Sequence, residues 1–108
     1  MTDVLPAMTV GLLDTLDLAA PPGAIAPPLA ALWWLMKGGL APGPAWDRAH
    51  AICQRREGDP AHDLVHGFAH WIEGDIGNAD YWYQRAGERR GDSGLQAEWE
   101  RLAAQLGV

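Results

Sequence analysis

The chain has 108 residues and a formal charge of −6, from 8 Lys+Arg against 14 Asp+Glu, and is 48% hydrophobic and 20% charged. That length fits one ordinary domain and excludes a TIM barrel or a complete two-half dinucleotide fold. The composition is globular, and the acidic balance argues against nucleic acid or an anionic membrane as partner, because both are bound chiefly through basic faces.

Cys53 is the lone cysteine, so no intrachain disulfide forms and a reducing compartment is the natural setting. Met1-Thr2-Asp3-Val4-Leu5-Pro6 lacks the basic and long apolar regions of a signal peptide. The best apolar run, Leu29 to Met36, falls far short of the ~20 residues that span a bilayer. A soluble cytoplasmic protein is expected. Thirteen Gly and eight Pro predict short elements.

Residues 1–27 read as an irregular or partly helical arm. Within it Leu12, Leu13 and Leu16, with Asp14 and Asp17, fit one or two amphipathic turns. Pro21-Pro22-Gly23 and Pro27-Pro28 break the chain. Pro28 can open a helix that runs to Lys37 and ends at Gly38-Gly39. After a Gly/Pro loop, Pro44 starts a helix to about residue 57, with Trp46, Ala49 and Cys53 on one face. Gly58-Asp59-Pro60 ends it. A third helix spans about 60–73, where Ala61, Leu64, Val65, Phe68, Trp71 and Ile72 form one apolar arc. Asp75 can cap a fourth, about 76–86, that stops at Gly87. Ser93 and Gln96 fit a capping box for a last helix over 93–107, with Leu95, Trp99, Leu102, Ala103 and Leu106 at helical spacing. No segment alternates as a strand does. The predicted class is all-α, with about five helices.

Gly67, Gly74-Asp75, Ala79, Tyr83 and Ala86 resemble the small-and-aromatic pattern of the tetratricopeptide (TPR) or Sel1-like helical hairpin. A looser copy lies upstream, where Lys37-Gly38 parallels Glu73-Gly74 and Ala49 parallels Ala79. The resemblance implies two antiparallel hairpins, over 28–57 and 60–87, and a capping helix over 93–107. It also implies binding of a protein partner or of a second copy, and places His66 and His70 toward the companion helix. The segments around His66-Gly-Phe-Ala-His70 and Tyr81-Trp-Tyr-Gln-Arg-Ala-Gly87 are similar, too, to a family of small uncharacterised proteins, a likeness that carries no known activity.

His62, His66 and His70 recur at i, i+4 and i+8 on the third helix. Two histidines four apart on a helix can share one ion. His50, on the preceding helix, can supply a third imidazole, and Glu73, Asp63 or Asp75 an oxygen. Such a set suits zinc or another divalent transition metal. Two structural readings stand beside it. The histidines can be buried and hydrogen-bonded to Tyr or Trp, or they can form a solvated stripe.

The pair Trp33 and Trp34 cannot both face one core, and Tyr81 and Trp82 have no assigned packing duty beside Tyr83. These four are therefore read as interaction residues. Cys53 reads as a small buried hydrophobe, and the arginines near helix C-termini complement the helix dipole. No Walker, Rossmann or G-x-S-x-G motif is present. The leading expectation is a non-catalytic, TPR-like interaction module that self-associates. The alternative is a metal-binding or enzymatic protein centred on His50, His66 and His70.

Overall fold

A computed structural model describes residues 7–107, so the first six residues of the predicted arm lie outside the described residues. The protein is all-helical: α1 Ala7–Asp14, α2 Pro27–Lys37, α3 Pro44–Gln54, α4 Pro60–Ile72, α5 Ile76–Arg85 and α6 Leu95–Leu106. Among the described residues no strand forms, and no helix is long and apolar enough to cross a membrane.

The sixth helix, α1, lies inside the segment expected to be irregular or partly helical and covers the amphipathic turn read around Leu12 and Leu13. It is held by contacts the local sequence does not announce. Leu12 is buried in the core, and α1 packs on α6. Just past α1, the Thr15 hydroxyl accepts a 3.0 Å hydrogen bond from the Trp33 indole, and Lys37 Nζ donates to the Leu16 carbonyl at 2.6 Å. Proline occupies the first turn of α2, α3 and α4, where its missing N–H costs nothing.

Two helix ends differ from expectation. α3 stops at Gln54 rather than near 57, and residues 55–58 turn tightly through Arg56 N–H to Cys53 O and Asp59 N–H to Arg56 O. Gly58 closes that turn at φ +97°, a conformation that favours glycine. At α6 the capping box does not form. Gly94 is the N-cap, without a side-chain bond, while Ser93 donates to Asp92 and Gln96 to Glu100. The preceding loop is tied elsewhere, because Gly91 N–H donates to the buried Glu98 carboxylate. Asp75 caps α5 as expected, accepting from Asn78 N–H.

α4 is the central element and touches α2, α3, α5 and α6. Every residue from His62 to His70 is buried. α5 approaches α4 tightly at Gly67. A Cβ there would lie 2.6 Å from Tyr83 Cδ2 and 2.9 Å from the Ala79 carbonyl. Tyr83 fills the space between the helices and donates its hydroxyl proton to Glu98 at 2.6 Å. α6 contacts α1, α2 and α4, and the Trp99 indole donates to the Leu32 carbonyl at 2.7 Å. The last helix therefore ties the first helix pair to the second and closes a bundle.

Candidate metal centre

α3 and α4 lie side by side and bring His50 to His66 and His70. His66 Nε2 is 3.1 Å from His50 Nε2, and one ring nitrogen from each of the three residues falls within 4.8 Å of the others. An ion about 2.05 Å from each nitrogen in tetrahedral geometry would set them roughly 3.4 Å apart, inside that range. His66 and His70 are buried, at 2% and 7% exposure, and His50 is half-buried. The solvated-stripe reading is therefore overturned: α3 and α5 both pack on α4 and cover the stripe.

Two indoles frame the cluster. Trp46, one turn before His50, stacks on its ring at 4.8 Å and is pinned to α4 by a 2.7 Å bond from its N–H to the Ala69 carbonyl. Trp82, from α5, stacks on His66 at 4.0 Å. His66 and His70 stack on each other at 4.9 Å. The expected hydrogen bonds from histidine to Tyr or Trp are absent among the described residues. Trp46 and Trp82 meet His50 and His66 face-on, which leaves the nitrogens of those two rings for other partners.

His70 Nδ1 lies 2.6 Å from Glu73 Oε2. Nδ1–H donating to that carboxylate leaves Nε2 with a free lone pair, the arrangement that orients metal-bound histidines. Between His50 and His66, one Nε2–H at most can donate to the other. His66 Nδ1 is buried without a hydrogen-bond partner in either tautomer. Leaving such an atom unsatisfied costs about 1–3 kcal/mol. Burial, then the neighbouring His50 and His70, push the His66 pKa down to about 3. Burial and His70 also lower that of His50, against smaller opposing effects of Glu73, Asp47 and Glu57. Both rings are neutral near neutral pH, the form that can ligate a metal.

The other expected members do not join that triad, although Glu73 and Asp75 form a second, more exposed cluster with His70 whose ligating atoms lie within 4.8 Å of one another. His62 is buried at the start of α4, where its Nδ1 meets Asp59 at 2.6 Å. Asp63 accepts Gly58 N–H and faces Arg85 at 3.9 Å. Glu73 is committed to His70, and Asp75 to capping α5. Cys53 is fully buried, and desolvation with Asp63 nearby raises its thiol to about 12, so it carries no thiolate.

Of the four interaction residues, Trp33 is completely buried and Trp82 is 8% exposed, a correction to both as surface groups. Trp33 is taken up by Thr15 of the arm, and Trp82 by His66. Trp34 is half-buried beneath the Arg48 guanidinium, and Tyr81 stands 50% exposed. Trp46 escaped the sequence reading as a wall of the site. Its spacing of four from His50 was visible, but the helix it would face was not.

No family model matches the chain, and no curated protein or solved structure matches it.

The neutral imidazoles predict acid lability in the metal-free protein. Below the ordinary histidine pKa of about 6.5, the unfolded chain takes up protons that folded His66, near 3, refuses. Stability is thus complete above about pH 6.5 and declines as pH falls toward 3, by roughly 2 kcal/mol after solvent screening. Urea midpoints between about pH 7 and pH 4.5 should fall progressively. A flat profile would mean that His66 protonates as readily folded as unfolded.

Proposed function

We propose that this protein binds one divalent transition-metal ion through His50, His66 and His70, with Glu73 orienting His70. The observation that carries the reading is the convergence of three imidazoles from two helices, within 4.8 Å of one another, on a buried site. Neutral nitrogen ligands suit zinc, nickel or copper and are poor partners for calcium or magnesium. An ion there bonds α3 to α4, so binding and folding stability are linked.

A second reading keeps the chain as a TPR-like interaction module that binds a protein or its own copy. Gly67 against Tyr83 and Ala79, together with exposed Tyr81 and Ile76 on α5, favours it. Under that reading the imidazoles are packing groups and divalent ions leave the melting curve unmoved.

Titration of chelator-treated, tag-free protein with zinc separates the two. The expected result is one ion per chain and a melting midpoint that rises with zinc, by the equivalent of about 2.7 kcal/mol at a hundredfold excess over Kd. His66→Ala should abolish the stoichiometric signal. His62→Ala should lose stability and keep it, since His62 is bonded to Asp59 outside the cluster. No zinc uptake by wild-type protein would return the chain to the interaction reading.

A further inference from the structure

We infer that the three-histidine centre is of the open kind, with one coordination position reserved for a small monodentate anion from solution. The inference rests on the metal reading above and concerns what completes the ion's shell. Among the described residues, no fourth His, Cys, Asp or Glu joins His50, His66 and His70 within ligating reach of one another. The two acids that cluster with His70 stand apart from the triad, and each has one oxygen hydrogen-bonded. Glu73 Oε2 is held at 2.6 Å by His70 Nδ1, and the Asp75 carboxylate accepts Asn78 N–H.

The remaining walls cannot fill the position. Trp46 stacks on His50 and meets His70 in a T-shaped contact, Trp82 stacks on His66, and an indole N–H is a donor only. The Trp46 N–H is in any case spent on the Ala69 carbonyl. Closed structural sites draw four ligands from the protein, whereas three protein ligands leave a position for solvent or substrate. The charge balance selects the ligand class. Three neutral imidazoles donate no charge to the ion, and the Glu73 carboxylate behind His70 offsets at most one unit, so a compact anion gains by binding. Access is through His50, half-buried where His66 and His70 are closed off.

The experiment uses protein loaded with one cobalt(II) ion per chain and titrated with sodium azide, read by visible absorption. Cobalt reports its own coordination, so no enzymatic activity is needed. A saturable shift of the visible bands with azide is expected. Glu73→Gln should weaken cobalt binding about 10–100-fold, as loss of an orienting partner does. Once cobalt-loaded, that variant should show the same azide response as wild type.

Cobalt bound one to one with a spectrum indifferent to azide overturns the open position and leaves the metal reading standing. An azide response that appears only in Glu73→Gln or Asp75→Asn also overturns it, by identifying that carboxylate as the fourth ligand. Failure of cobalt to bind at all overturns the metal reading, and the open position with it.

Discussion

Replacing Gly67 with leucine is expected to cost more than about 3 kcal/mol, because the new side chain has nowhere to go. Its first atom would already lie 2.6 Å from Tyr83 Cδ2 and 2.9 Å from the Ala79 backbone oxygen. The Tyr83 ring cannot retreat without giving up its 2.6 Å bond to Glu98, and the carbonyl belongs to α5 itself. The alanine variant is the sharper comparison. Helix propensity alone favours Gly67→Ala by about 1 kcal/mol, yet the clash should make it a net loss of roughly 1–3 kcal/mol. Gly77→Ala is the control: it is also helical, but a Cβ there meets nothing within 4 Å, and a gain of up to about 1 kcal/mol is expected. Denaturant midpoints of the three variants check the order. Equal midpoints for Gly67→Ala and wild type would show that α4 and α5 can move apart freely.

Glu98→Ala should be the second most damaging change, at about 2–4 kcal/mol. Glu98 is 3% exposed and serves three donors: the Tyr83 hydroxyl, Gly91 N–H and the Arg101 guanidinium. Removing it strands the Tyr83 hydroxyl in the interior and breaks the Gly91 tie of the 88–94 loop to α6, leaving the Arg101 and Gln105 contacts to Arg89 and Glu88. Burial opposes ionisation of Glu98, but the bonds from Arg101, Tyr83 and Gly91 outweigh it and hold its pKa below the usual carboxylate value. A lowered folded pKa contributes stability that is present above about pH 4.3 and lost as pH falls through the folded value. Glu98→Gln keeps an acceptor for Tyr83 and should recover part of the loss. Thermal midpoints of both variants at pH 7 and near pH 4 test this, and the gap between wild type and Glu98→Ala should narrow in acid. A constant gap would mean that Glu98 is not ionised in the folded protein.

How far the candidate centre was legible depends on the residue. The His62, His66 and His70 spacing put three imidazoles on one side of α4, and His50 could be named as a partner from its place on the preceding helix. The set His50, His66 and His70 could be named, but not that its ring nitrogens converge within 4.8 Å. His62 shares the helix face yet turns to Asp59, because that carboxylate stands at the N-cap three residues earlier. The same ambiguity covers Trp33 and Trp82, whose types suit an interface as well as a core. Only the partners Thr15 and His66 decide between them.

What the sequence determined by itself is local. Prolines in the first helical turn, glycines at the breaks and apolar residues at a period of 3.6 act over a few residues, so α2 to α6 and the all-α class followed from them. The tertiary structure alone decided what depends on residues distant in the chain. It ordered α1 through Leu12 against the core, and it tied the loop before α6 to Glu98 through Gly91. It also brought His50 to within 3.1 Å of His66, sixteen residues away. The physical reason is that burial and hydrogen-bond satisfaction are settled between helices. Packing of α3 and α5 on α4 is what buries His66 and holds its imidazole neutral well below the ordinary histidine pKa.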